Sequence, residues 1–115
     1  MSFFSALFGK KEQEVTGNIT VLNKNEYATQ IVTNNIKPFD VRTPSEYNSG
    51  HINKAINVDF FNPSNFKNYF EKLDKVKPVY VYCRSGARSQ KAARKLVNMG
   101  FTQVYDLKGG YNAWN

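Results

Sequence analysis

The chain of 115 residues has one cysteine, Cys83, one histidine, His51, and no apolar run long enough to cross a bilayer. Each scarcity excludes something. A single thiol forbids an intramolecular disulfide and a cysteine-based metal cluster, and it suits a reducing compartment, so the protein is expected in the cytoplasm. It also leaves no internal resolving thiol, so whatever Cys83 acquires must be discharged by an outside nucleophile. With 41% hydrophobic and 15% aromatic residues, the length fits one domain with a modest core and leaves nothing for a second. The net charge of +7 invites nucleic acid, but Lys24, Lys37, Lys54, Lys67 and Lys108 are scattered, without aromatic interleaving or a binding motif. No nucleic-acid partner is expected.

The Phe-rich start, Met1 to Lys11, puts Phe3, Phe4, Leu7 and Phe8 on one helical face ahead of two lysines. It is too short for a transmembrane segment, and its positive charge follows the apolar stretch, the wrong order for a signal peptide. Packing on the domain or fraying is expected, with a weak interfacial anchor or a partner-binding helix as the alternative. With the polar stretch Glu12 to Asn18 it forms an N-terminal segment and linker over residues 1–18, ahead of a domain over residues 19–115.

What the chain does have is concentrated at Tyr80-Val81-Tyr82-Cys83-Arg84-Ser85-Gly86-Ala87-Arg88-Ser89. Val79 to Tyr82 is apolar on both faces, as in a parallel strand covered on both sides, and Ala92, Ala93, Leu96 and Val97 recur at helical spacing. Cys83 thus ends a strand and faces a helix N-terminus, where ligands of open α/β sheets bind and unpaired N–H groups attract anions. The loop amides, the helix dipole and the guanidiniums of Arg84 and Arg88 all favour a thiolate. An accessible thiolate in that setting is a nucleophile or a covalent carrier, because packing alone does not call for two arginines, a glycine and two serines beside the sulfur. Lys91, Arg94 and Lys95 alternate with the apolar positions and read as a solvated helix face.

The remaining segments alternate. Ile19 to Leu22 is a strand; Asn23 and Glu26 form a capping box ahead of a helix that turns Tyr27, Ala28, Ile31 and Val32 inward and ends at Asn34-Asn35. Ile36 to Val41 is the next strand, with Pro38 near its start. Thr43, Pro44 and Glu46 fit N-cap, N1 and N3 of a short helix that Gly50 ends in a left-handed conformation. Ala55 to Val58 is a third strand, and Asn62-Pro63 opens a helix with Phe66, Tyr69, Phe70 and Leu73 as core. The helix after Cys83 stops at Gly100, Gln103 to Leu107 is the last strand, and Gly109-Gly110 turns into at most about one helical turn in which Trp114 caps the core. The order argues a parallel α/β sheet flanked by helices. Asp40, Arg42, Glu46 and His51 sit near the strand ends, and structural roles are expected for all four. An Arg42–Glu46 ion pair would brace the short helix, and His51 need not act as a base, since the loop already favours the thiolate.

Cys83-Arg84-Ser85-Gly86-Ala87-Arg88-Ser89 resembles the active-site loop of single-domain rhodanese-type sulfurtransferases. Phe39-Asp40-Val41-Arg42 with Glu46-Tyr47 and Gly50-His51-Ile52 resembles the upstream signature of that family, and Gly109-Gly110-Tyr111-Asn112-Ala113-Trp114 its C-terminal one. The resemblance spans Ile19 to Trp114. It implies the rhodanese-like three-layer α/β fold with a five-stranded, mainly parallel sheet. It also implies a thiosulfate sulfurtransferase without metal or cofactor: catalytic Cys83 takes a sulfane sulfur from a small anionic donor as a persulfide, and Arg84, Ser85, Gly86, Ala87 and Arg88 bind the donor. The acceptor is then cyanide, a small thiol, or the cysteine of a thioredoxin-like or other protein. A persulfide carrier or partner-binding module is the alternative. A phosphatase or arsenate reductase like the dual-specificity phosphatases of this fold is disfavoured, because the loop is one residue shorter than theirs, Tyr82 stands where they have histidine, and no general acid is evident.

Overall fold

The computed structural model describes residues 17–114, so the expectations for the Phe-rich start fall outside the described residues. Five strands alternate with five helices: β1 (Asn18–Leu22), α1 (Lys24–Thr33), β2 (Phe39–Asp40), α2 (Pro44–Ser49), β3 (Ile56–Asn57), α3 (Pro63–Glu71), β4 (Val79–Tyr82), α4 (Ala87–Asn98), β5 (Gln103–Leu107) and α5 (Gly110–Trp114). The strands make one parallel sheet in the order β1-β5-β4-β2-β3. β4 lies at its centre, so Cys83 leaves the middle of the sheet at its C-terminal edge.

Pleating divides β4 between two cores. Val79 and Val81 face one side, with Phe66 and Phe70 of α3 and Ala92, Ala93, Leu96 and Val97 of α4. Tyr80 and Tyr82 face the other, with Tyr27 and Ile31 of α1 and, at the margin, Tyr47, Tyr111 and Trp114. A strand buried on both faces cannot alternate apolar with polar residues, which is why Val-Tyr-Val-Tyr reads as a continuous apolar run. Tyr27 is fully buried and its hydroxyl donates to the Val81 carbonyl at 3.0 Å, pinning α1 to the central strand. Trp114 packs edge-on to Tyr27, with ring centroids 6.3 Å apart.

The expected caps form. Asn23 and Glu26 cap α1 reciprocally, as Thr43 and Glu46 cap α2. Some boundaries differ from the sequence reading. β2 begins only at Phe39, because the Ile36 N–H turns back to the Ile31 carbonyl at 2.8 Å and closes the end of α1. β3 is likewise only Ile56–Asn57. Gly50 leaves α2 at φ 150°, ψ 140°, a positive φ that favours glycine as expected, though not the left-handed helical conformation itself. Of the α3 residues expected in the core, Phe66 and Phe70 are fully buried, whereas Tyr69 and Leu73 are half-buried at its margin.

Candidate active site

Cys83 directly follows β4, and the chain turns through Arg84, Ser85 and Gly86 into α4. Gly86 takes φ 114°, which a side chain would resist, and donates its N–H to the Cys83 sulfur at 3.0 Å. No side chain caps α4 at this end, so its first amides face the loop that carries the sulfur. The thiol is not freely accessible, contrary to the sequence expectation. Cys83 is 1% exposed and forms the floor of a cavity of about 310 Å³ lined by Phe60, Phe61, Ser85, Ala87, Arg88 and Lys91.

The loop residues divide by role. Ser85, Ala87 and Arg88 line the cavity, Gly86 is buried and touches the sulfur, and the exposed Arg84 lies off the lining. Lys91 is exposed, as its reading as part of a solvated face implies, and it also lines the cavity, one helical turn after Ala87. Phe60 and the exposed Phe61 form an aromatic wall that the sequence reading missed, since neither belongs to a periodic segment.

Arg88 does not project freely into this space. Its Nη1 and Nη2 donate to Glu46 Oε1 and Oε2 at 2.7 and 3.3 Å, and its guanidinium lies over the Phe61 ring, 4.8 Å from the centroid. The hydrogen bond from Arg88, and after it the Thr43 amide, hold the Glu46 carboxyl down at about 2 against a normal 4.5, with partial burial opposing. Because the folded value is the lower one, the pair's contribution is complete above pH 4.5, declines progressively below it, and is gone once pH has fallen through about 2. Arg88 is held charged chiefly by Glu46 and, less strongly, by the field of Cys83.

Glu46 therefore braces the active loop, and the expected Arg42–Glu46 pair does not form. Arg42 turns inward to Asp40 instead, with Nε to Oδ1 at 2.9 Å and Nη2 to Oδ2 at 2.6 Å, and it also donates to the Gly50 carbonyl at 2.7 Å. Tyr82 donates to the same Asp40 carboxylate at 2.8 Å and accepts from the Ile52 N–H at 3.1 Å. The pair is buried and held by several hydrogen bonds, as a charge pair in a core must be. Asp40 and Arg42 are thus taken up in a buried network, and neither lines the cavity. His51 is exposed, stacked on Tyr47 at 3.7 Å, with Nδ1 2.8 Å from the Tyr47 carbonyl, and it does not line the cavity.

Two further contacts fix the loop from behind. The N–H groups of Tyr111 and Asn112 donate to the carbonyls of Cys83 and Arg84 at 2.8 and 3.0 Å, so α5 holds the loop backbone. On the other side the buried Ser89 hydroxyl donates to Asp106 Oδ1 on β5 at 2.6 Å and lies 3.2 Å from the Gly86 carbonyl.

The family model for the rhodanese-like domain matches residues 23–115. A thiosulfate sulfurtransferase GlpE of Coxiella burnetii is 43% identical over 75 residues, which cover 65% of this chain and 67% of that protein. One from Shewanella oneidensis is 33% identical over 94 residues, covering 82% of this chain and 90% of the relative. Among solved structures, the human single-domain sulfurtransferase TSTD1 superposes with a TM-score of 0.69 at 21% identity, over 82% of this chain and 93% of that one, a likeness of fold.

Proposed function

The chain belongs to the rhodanese-like domain family, and on that premise we propose that it is a thiosulfate-type sulfurtransferase working through a Cys83 persulfide. The observation that carries the reading is the Gly86 N–H placed 3.0 Å from the Cys83 sulfur at the floor of the cavity. A donor to that atom stabilises negative charge on sulfur, which the reaction places there twice. The thiolate attacks the outer sulfur of thiosulfate. A Cys83 S–S bond forms, the donor's own S–S bond breaks, and its electron pair leaves with sulfite. The outer sulfur of the persulfide then sits among the loop amides until a thiol or cyanide attacks it and the thiolate returns. Each half-reaction balances without a cofactor, and the kinetics are ping-pong.

Lys91 and the N–H groups of Arg88 not spent on Glu46 meet the sulfonate end of the donor and the departing sulfite. Arg84, off the lining, contributes through its field at the mouth. Arg88→Ala is expected to raise the KM for thiosulfate and slow persulfide formation by about tenfold to a hundredfold, with the thiol still present by titration. Steady-state kinetics at two acceptor concentrations would show it. An unchanged KM would remove Arg88 from donor binding.

The test of the function is intact mass of the reduced protein after thiosulfate and again after cyanide, with thiocyanate assayed in the same sample. One sulfur gained and then lost as thiocyanate supports sulfur transfer. No gain from thiosulfate or from a persulfide donor overturns it.

A further inference from the structure

We propose that Ser89, anchored by Asp106, is a positioning residue that sets the geometry of the amide holding the Cys83 sulfur. Gly86 has no side chain and sits at φ 114°, so its own conformational preferences do little to fix the peptides on either side of it. What restrains it is the partners of its carbonyl, the Gln90 N–H at 3.1 Å and the Ser89 hydroxyl at 3.2 Å. The N–H of the same residue is the group on the sulfur. Ser89 is fully buried, and its hydroxyl has a single proton to share between Asp106 at 2.6 Å and the Gly86 carbonyl. The carboxylate fixes the rotamer of that hydroxyl, and through it the tilt of the loop.

The carboxyl is costly where it stands. Asp106 is 1% exposed and is bonded by a hydroxyl and the Leu107 amide, with no cation on it among the described residues, and burial pushes it up to about 6 against an ordinary 3.8. A packed apolar residue at such a site is commonly as stable or more so. Among the described residues its side-chain partner is the Ser89 hydroxyl at the start of α4, and that contact is the reason it matters.

The proposal extends the sulfurtransferase reading, but its main readout does not depend on it. The rate of Cys83 alkylation by iodoacetamide at pH 7, followed by intact mass on the full chain, requires no sulfur donor. Ser89→Ala is expected to slow alkylation and to lower kcat with thiosulfate by about tenfold each, the size of one well-placed hydrogen bond, while KM moves less than about twofold. A purely structural role would lower the thermal midpoint without that split. Ser89→Thr keeps the hydroxyl and Asp106→Asn keeps an acceptor, so each should stay within about threefold of the parent. Parent-like alkylation in Ser89→Ala would overturn the proposal. So would a folded Thr or Asn variant as slow as a tenfold loss, which decides the matter even if Ser89→Ala does not fold.

Discussion

Cys83→Ser should take up no sulfur from thiosulfate and release no thiocyanate to cyanide, yet melt within about 1 kcal/mol of the parent. The hydroxyl is slightly smaller than the thiol and still accepts the Gly86 N–H, so the loop keeps its closest bond. Chemistry is lost because a serine hydroxyl stays protonated at neutral pH, and without a base beside it there is no anion to attack sulfur. None is at hand: His51, the only histidine, is exposed and stacked on Tyr47. Thermal melting and intact mass on one preparation make the comparison. Sulfur bound by the serine variant would mean that the persulfide forms elsewhere or not at all.

Gly110→Ala should have the second-largest effect and should act on the same loop from the opposite side. Gly110 has φ 61°, and a Cβ there would lie 2.6 Å from the Cys83 carbonyl oxygen and from the Arg84 carbonyl carbon and oxygen. Left-handed backbone costs an alanine about 1–2 kcal/mol. The clash adds to this because its partners are backbone atoms that cannot rotate aside. The loop or α5 must move, and with it the bonds from Tyr111 and Asn112 that hold the carbonyls of Cys83 and Arg84. A loss of about 3 kcal/mol or more is expected, together with a fall in sulfur transfer per folded molecule.

Gly100→Ala separates the two causes. Gly100 also has positive φ, 111°, but its Cβ would meet only Lys75 Cγ at 3.9 Å, at the far end of α4 from the loop. It should lose stability and keep activity. If Gly110→Ala lost stability alone, the contact between α5 and the loop would have no part in catalysis.

Much of this was legible along the chain because it is local. A capping box spans three residues, so Asn23 with Glu26 and Thr43 with Glu46 announced α1 and α2. The double burial of β4 shows in four consecutive residues, and the position of Cys83 between that strand and the helical spacing of Ala92, Ala93, Leu96 and Val97 placed the thiol at a helix start. The family signature then pointed to the five-stranded sheet.

The sequence could not choose partners between segments. Glu46 satisfied its capping role so completely that nothing hinted at its second bond to Arg88, 42 positions away, and the nearer Arg42 was the reasonable guess. Asp106 and Ser89 meet only because α4 crosses the face of β5, and Gly110 approaches Cys83 only because β5 lies beside β4. The accessibility of Cys83 belongs to the same class, since the walls over it come from Phe60, Phe61 and Lys91, on two different segments. Local order follows from neighbours along the chain, through dihedral preference, capping and periodicity. The sequence alone therefore singled out Cys83 as the residue proposed to react. Its depth, its hydrogen-bond donor and the residues that brace it depend on which elements pack together, and only the tertiary structure decided those.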